Sequence, residues 1–415
     1  MSDANPPPTL QVPHRRGAVF FIFITVLLDI MALGMVAPIL PGLVRQFVQG
    51  NTSEAAVIYG VFNTVFALMQ FFCSPVIGCL SDRYGRRPLI LMSNLGLGLS
   101  YAAMAWAPSL IWLFVGRVVS GVTGASFAIA SAYVADTTPE EKRGAAFGMI
   151  GAAFGVGLVF GPGIGGMLGA YGVQVPLYVA AALSLANALY GLFVLPESLP
   201  REHRLEFSWR RANPIGALVL LRRHPELFGL AGVSFVSTLA QVSLPSTIVF
   251  YATHRYGWNL QTLGVTLTVV GIALVIAQVL IVPTAIKMFG NRTSVVVGLL
   301  FGAVGMTVAG IAWTGQILWM AIPILALWGM FGAAAQALMT RHVSPAEQGR
   351  LQGATSSLTG ISEVVGPLIF LNVYAWFVRP GMPIKLSGAP FILAALLLLA
   401  GAGWAWWATR SEPDS

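Results

Sequence analysis

The chain has 415 residues, 56% of them hydrophobic and only 9% charged, with a mean hydropathy of +0.78. Soluble domains carry about 25% charge, so two or three water-soluble domains are excluded. A β-barrel is excluded too, because barrel strands are short and alternate, whereas these apolar runs are mostly long enough to cross a bilayer, which takes about 20 residues.

The residues from Met1 to Arg16 are polar and Pro-rich and are expected to form a disordered tail. The first apolar run, from Gly17 to about Leu40, is too long for a cleavable leader and has no small-residue cleavage site. Twelve spans follow from the hydropathy pattern: 17–40, 55–78, 88–107, 109–133, 144–170, 174–195, 226–251, 259–285, 293–313, 316–339, 352–377 and 388–408. Pro245 is expected to interrupt the seventh and Pro323 to soften the tenth. The only cysteines, Cys73 and Cys79, sit six apart on one apolar segment and read as packing residues. Trp106, Trp112, Trp258, Trp313 and Trp319 fall at span ends and read as interfacial anchors.

Loop charge sets the orientation. With the loop after span two taken as cytoplasmic, that side holds 18 basic residues, among them Arg15, Arg16, Arg83, Arg86, Arg87, Lys142, Arg143, Arg210, Arg211, Lys287, Arg292, Arg341 and Arg350. The other side holds four, Arg45, Arg255, Arg379 and Lys385. Both termini are therefore expected inside. The net charge of +8 is a topology signal and calls for no nucleic-acid partner.

The longest loop divides the spans six and six. The expected organisation is an N-terminal half over 17–195, a cytoplasmic central loop over 196–225, a C-terminal half over 226–408 and a short tail over 409–415. The halves read as copies. Gly148 precedes Gly161-Pro162 by thirteen residues, as Gly353 precedes Gly366-Pro367. Pro139-Glu140-Glu141 is echoed by Pro345-Ala346-Glu347, and Gly85-Arg86-Arg87 by Gly290-Asn291-Arg292.

Between spans two and three lies a dense knot of charge, Gly78-Cys79-Leu80-Ser81-Asp82-Arg83-Tyr84-Gly85-Arg86-Arg87-Pro88. Gly78 should let a neighbouring helix approach, Pro88 suits a first helical turn, and Asp82 among arginines is a ready ionic latch. The stretch resembles the signature loop of the major facilitator superfamily of transporters, Gly-x-Leu-Ser-Asp-Arg-x-Gly-Arg-Arg-Pro, at every specified position. The resemblance implies an all-α membrane protein of two parallel six-helix halves, with its site near the midplane between them. It also implies that Asp136 and Arg143, flanking the loop after span four, join the Asp82 loop in a network that closes the inward gate.

Ionisable groups within spans are costly, roughly 2.5–3.5 kcal/mol each on insertion scales, and mark function. Asp29, Arg117 and Glu363 are the candidates. Asp29 lies about 18 Å along its helix at 1.5 Å per residue, near mid-membrane, where desolvation favours the neutral acid and a carboxyl can load and release a proton. Arg117 has Gly121 and Gly124 on its own face and Asp29 as its expected partner. Glu363 can serve as a second proton site or as a contact for a cationic substrate. Asn63, Gln70, Asn187, Gln241, Gln278 and Gln336 are the uncharged polar residues within spans that can meet substrate.

The run from Leu28 to Pro41, with Asp29 and the Pro-Ile-Leu-Pro ending, resembles span one of tetracycline-type drug:proton antiporters. Leu195-Pro196-Glu197-Ser198 and Gln348-Gly349-Arg350-Leu351-Gln352-Gly353 resemble the same subfamily. The glycine run Gly157, Gly161, Pro162, Gly163, Gly165 and Gly166 resembles the antiporter motif of span five and favours export. In that subfamily an acid in span three, a histidine in span eight and an acid in span nine stand where this chain has Ser100, Leu274 and Gly302. That departure puts recognition of a magnesium-chelated tetracycline in doubt.

The expected function is proton-coupled export of a small amphipathic molecule by a monomeric, multi-pass protein of the inner membrane. No enzyme activity and no cofactor are expected: the proton gradient drives transport, no Gly-x-x-x-x-Gly-Lys-Ser/Thr loop occurs, and His14, His203, His224, His254 and His342 lack metal-ligand spacing. An uptake symporter on the same fold and a non-transporting membrane receptor are the alternatives.

Overall fold

The computed structural model describes residues 16–209, 212–223, 225–344, 347–383 and 385–410. Outside them lie the expected tail up to Arg15, most of the C-terminal tail, Arg210, Arg211, His14, His224, and Pro345-Ala346 of the repeat.

In lipid every backbone polar group must be satisfied within the segment, so long apolar runs become helices. The chain forms α1 (Arg16–Val36), α2 (Leu40–Phe47), α3 (Thr52–Tyr84), α4 (Arg86–Ala105), α5 (Leu110–Thr123), α6 (Ser126–Thr137), α7 (Glu140–Gly169) and α8 (Val175–Val194). After the central segment, with its short α9 (Val219–Arg223), come α10 (Pro225–Tyr256), α11 (Leu260–Ile276), α12 (Val282–Ile311), α13 (Gly315–Leu327), α14 (Gly329–Arg341), α15 (Gln348–Val378) and α16 (Ala389–Ala408). Among the described residues, eleven helical stretches are long and apolar enough to cross a membrane. The longest, Leu260–Ile311, holds two of the expected spans, because the chain turns at Gly290 (φ +75°). Side-chain caps mark several starts: Asn51 accepts from the Glu54 N–H, Asn259 from Thr262 and Thr314 from Ile317.

Helix ends differ from expectation in a consistent way. α3 runs on to Tyr84, so the charged knot up to that residue is helical and only Gly85 breaks it. α7 and α15 likewise begin four residues early. Hydropathy marks where lipid ends, whereas a helix continues until its hydrogen bonding is interrupted. Pro245 does not interrupt α10, which is continuous from Pro225 to Tyr256. The expected softening of span ten appears as a break at Trp328, five residues beyond Pro323.

Each half has the same internal plan. α4 packs on α8 as α12 packs on α16, and α1 packs on α7 as α10 packs on α15. The halves meet through α3 on α15 and α7 on α11. Apolar burial gives helices in lipid no strong reason to associate, so small residues that permit close approach carry the packing. Gly157, Gly161 and Gly165 face α1, Gly166 faces α11, Gly121 faces α3 and Gly366 faces α10. At Gly161 a Cβ would stand 2.8 Å from the Met31 carbonyl oxygen, and Pro162 packs by its ring against Gly34. Pro367 presents its carbonyl to Gly60 across the interface between halves. Gly78 is the exception: the space its Cβ would occupy is open, so no neighbouring helix closes on it.

The central segment is tied to both halves. Leu205 N–H donates to the Asp82 carbonyl and the Ser357 hydroxyl to the Pro214 carbonyl, while Leu220 and Leu221 are buried.

Candidate functional site

At the arginine-rich end, Gly85 (φ +107°) turns the chain from α3 into α4 within one residue, a conformation glycine adopts without strain. Gly290 makes the same turn in the second half. The first N–H groups of α4 lack helical partners, and Glu197 supplies them: Oε1 accepts from Arg86 N at 2.8 Å and Oε2 from Arg87 N at 3.3 Å. A carboxylate at a helix N-terminus is also favoured by the helix dipole. Arg86 then binds three groups, with Nη1 2.6 Å from both Asp82 Oδ1 and Ser81 Oγ, and Nε 3.0 Å from Asp136 Oδ2. Ser198 Oγ donates to Asp136 Oδ2, and Arg87 Nη2 donates to the Leu192 carbonyl.

Ion pairs are thus present around Asp82 and Asp136, centred on Arg86, and the described groups that meet there come from the first half and the start of the central segment. Arg143 is not drawn in: from the first turn of α7 its Nε reaches back to the Thr138 carbonyl at 3.3 Å. Arg83 lies outward, 5.3 Å from the Tyr84 ring. Glu197 was legible only as part of a family resemblance, because its role depends on a contact 111 residues away.

On α1, Asp29 is buried, 6% exposed. The expected pair with Arg117 is not formed. Asn187 Nδ2 donates to Asp29 Oδ1 at 3.2 Å, and the Thr25 hydroxyl donates to Asn187 Oδ1. Asp29 Oδ2 has no hydrogen bond of normal geometry, although the Ser126 hydroxyl lies nearby. Arg117 points elsewhere: Nη2 donates to Asn63 Oδ1 at 3.0 Å, and the guanidinium lies 4.0 Å over the Phe66 ring. α3 thus gives the guanidinium both an acceptor and a planar surface.

Between the halves lies a cavity of about 950 Å³. Its walls carry Asp29 from α1, Gln70 from α3, Gln336 from α14 and Glu363 from α15. Beyond it, toward the end away from Asp82, the halves are joined. Ser53 Oγ donates to the Ala375 carbonyl, Thr64 Oγ1 to the Val364 carbonyl, and Tyr59 meets Phe250 edge-on at 5.6 Å. The lining includes Asn213, Pro214, Met339 and Gln352, so the cavity opens toward the arginine-rich end.

Of the six polar candidates for substrate contact, only Gln70 and Gln336 line this cavity. Asn63 and Asn187 are committed to Arg117 and Asp29. Gln241 and Gln278 lie off it, being exposed elsewhere on α10 and on the π-helical turn Ala277–Ile281. Hydropathy shows depth in the membrane but not which face of a helix a residue takes. Ser100, Leu274 and Gly302 are also off the cavity: the Ser100 hydroxyl bonds to Leu97, Leu274 is exposed, and Gly302 packs against Trp328.

Two breaks in the helices share a design. α5 gives way to α6 at Gly124-Ala125, and α13 to α14 at Trp328, next to Gly329; Gly124 and Gly329 are 205 residues apart, as are Gly85 and Gly290. Gln70 Nε2 donates to the Gly124 carbonyl at 3.2 Å. In the second half the amide of Gln278 packs directly on Gly329. Each break is therefore met by a glutamine from a neighbouring helix.

The family model described as Major Facilitator Superfamily matches residues 22–332 and 230–415. The chain is 39% identical over 363 residues to a class C tetracycline resistance protein of Escherichia coli, covering 87% of this chain and 90% of that one. It is 36% identical over 365 residues to a class E tetracycline resistance protein of the same organism, covering 86% and 88%. In three dimensions it resembles a human organic anion transporter with a TM-score of 0.68 at 22% identity, covering 95% of this chain and all of the other. That likeness speaks to the fold alone.

Proposed function

This chain belongs to the Major Facilitator Superfamily, and on that premise we propose that it is a proton-coupled exporter of a small amphipathic molecule, working by alternating access. It is an integral multi-pass membrane protein and not an enzyme. In this reading it resides in the inner membrane as a monomer, with both termini and the arginine-rich end in the cytoplasm. The cavity then faces the cytoplasm, where an exporter loads.

The observation that carries the reading is Asp29, a buried carboxyl on the wall of a cavity between two halves. An acid there can be neutralised by a proton in one arrangement and discharged in the other. The tetracycline-resistance relatives support the direction and the drug-like size of the cargo. Tetracycline itself is less well supported, because Ser100, Leu274 and Gly302 stand where the tetracycline-type subfamily carries two acids and a histidine.

The test uses inverted membrane vesicles with an imposed pH gradient and a panel of drugs, tetracycline included. A transported drug should release protons from wild-type vesicles and not from vesicles carrying Asp29→Asn. Undiminished gradient-driven transport in that variant sinks the coupling role, and uptake in place of efflux sinks the direction.

A further inference from the structure

The central cavity holds a second acid that the coupling role of Asp29 leaves unexplained. Glu363, on α15, lines the cavity from the opposite half. Unlike Asp29, whose Oδ1 is held by Asn187, Glu363 has no hydrogen-bond or ion-pair partner among the described residues. Asp29 adds a second open acceptor, since its Oδ2 is buried without a bond of normal geometry. No lysine, arginine or histidine among the described residues lines the cavity; Arg117 is turned away onto Asn63 and Phe66. The remaining wall is rich in aromatic rings, namely Phe66, Phe71, Tyr101, Phe127, Phe154 and Phe331.

We propose that Glu363 is the counter-ion for a lipophilic organic cation, and that the cargo class is monovalent aromatic ammonium or phosphonium compounds. The proposal rests on the exporter reading and names its substrate class. Among the described residues an anion in this cavity would meet two carboxyls and no positive side chain. A neutral ligand would leave Glu363 either an uncompensated carboxylate, which is costly, or obliged to take up a proton. A cation removes that cost and gains the faces of aromatic rings. Phe71 is well placed for this, since its ring packs on Gly360, one helical turn before Glu363. Phe127 and Phe154 form an edge-to-face pair at 5.5 Å in the other half. At about 950 Å³ the cavity is at the upper end of the usual range for drug-sized ligands, roughly 300–1,000 Å³.

The site is tested by binding of tetraphenylphosphonium to the full chain, purified in detergent, by titration calorimetry without any gradient. Glu363→Gln should weaken binding by about tenfold or more, equivalent to about 1.4 kcal/mol, whereas Glu363→Asp should retain most of the affinity. Uncharged triphenylphosphine oxide should bind the wild type far more weakly than the cation and be indifferent to the substitution. Equal affinity of wild type and Glu363→Gln for the cation overturns the proposal. So does tight binding of the neutral probe by wild type, a comparison that needs no variant to fold. Failure of the two readings is distinguishable. Glu363-dependent binding without proton release in vesicles removes export and leaves the cation site. Proton release by a drug that is undiminished in Glu363→Gln removes the cation site and leaves export.

Discussion

Asn187 on α8 holds the carboxyl of Asp29 on α1, its Nδ2 standing 3.2 Å from Asp29 Oδ1. The same side chain accepts the Thr25 hydroxyl and also donates to the Thr25 carbonyl at 3.3 Å. Asn187 is therefore a positioning residue for the coupling acid, placed where an arginine had been expected. Losing a donor to a buried charged group costs about 1–3 kcal/mol. Asn187→Ala should accordingly lower proton-coupled transport in vesicles by about tenfold or more, while leaving cation binding to the central cavity little changed. Transport at the wild-type rate would remove Asn187 from the coupling machinery.

Glu197 caps α4 through two backbone N–H groups. Replacing it with alanine should cost about 1 kcal/mol, read as a lowered unfolding midpoint in detergent. Arg143→Ala should leave the midpoint near its wild-type value, because among the described residues its side chain bonds to a neighbouring turn alone. A destabilising Arg143→Ala with a silent Glu197→Ala would restore the network first expected from sequence.

Gly161 and Gly151 share α7 but not its packing. A Cβ at Gly161 would stand 2.8 Å from the Met31 carbonyl, and one at Gly151 would meet nothing within 4 Å. Gly161→Ala should destabilise by about 1–3 kcal/mol through overpacking. Gly151→Ala should be neutral or stabilising by up to about 1 kcal/mol. Thermal unfolding of the two variants side by side checks the contrast.

Gln278 stands off the cavity, against Gly329 at the break between α13 and α14. Gln278→Met, which changes the side chain packed on that break, should therefore change the turnover number with KM nearly constant. A raised KM at constant turnover would return Gln278 to the substrate site.

The helical class, the span count and the twofold repeat were legible because each is written in local runs of hydropathy and in recurring glycines. Asp29, Arg117 and Glu363 stood out for the same reason, as charges where charge is expensive. The partners were not legible. Asn187 and Asn63 reach their charged groups across 158 and 54 residues, and Glu197 reaches the backbone N–H of Arg86 across 111. Polar candidates for substrate contact divided between cavity and outer surface according to helix rotation, which uniform hydropathy does not report.

By itself, then, the sequence determined that this chain is a bundle of membrane helices in two related halves, because lipid admits little else for such a composition. It also determined which ionisable groups lie at depth. Only the tertiary structure decided that Asp29 answers to Asn187, that Arg117 rests on Phe66 and Asn63, and that Asp29 and Glu363 share one cavity. Those choices follow from how helices rotate and cross as glycines let them close, a property of pairs of helices that no single stretch of sequence contains.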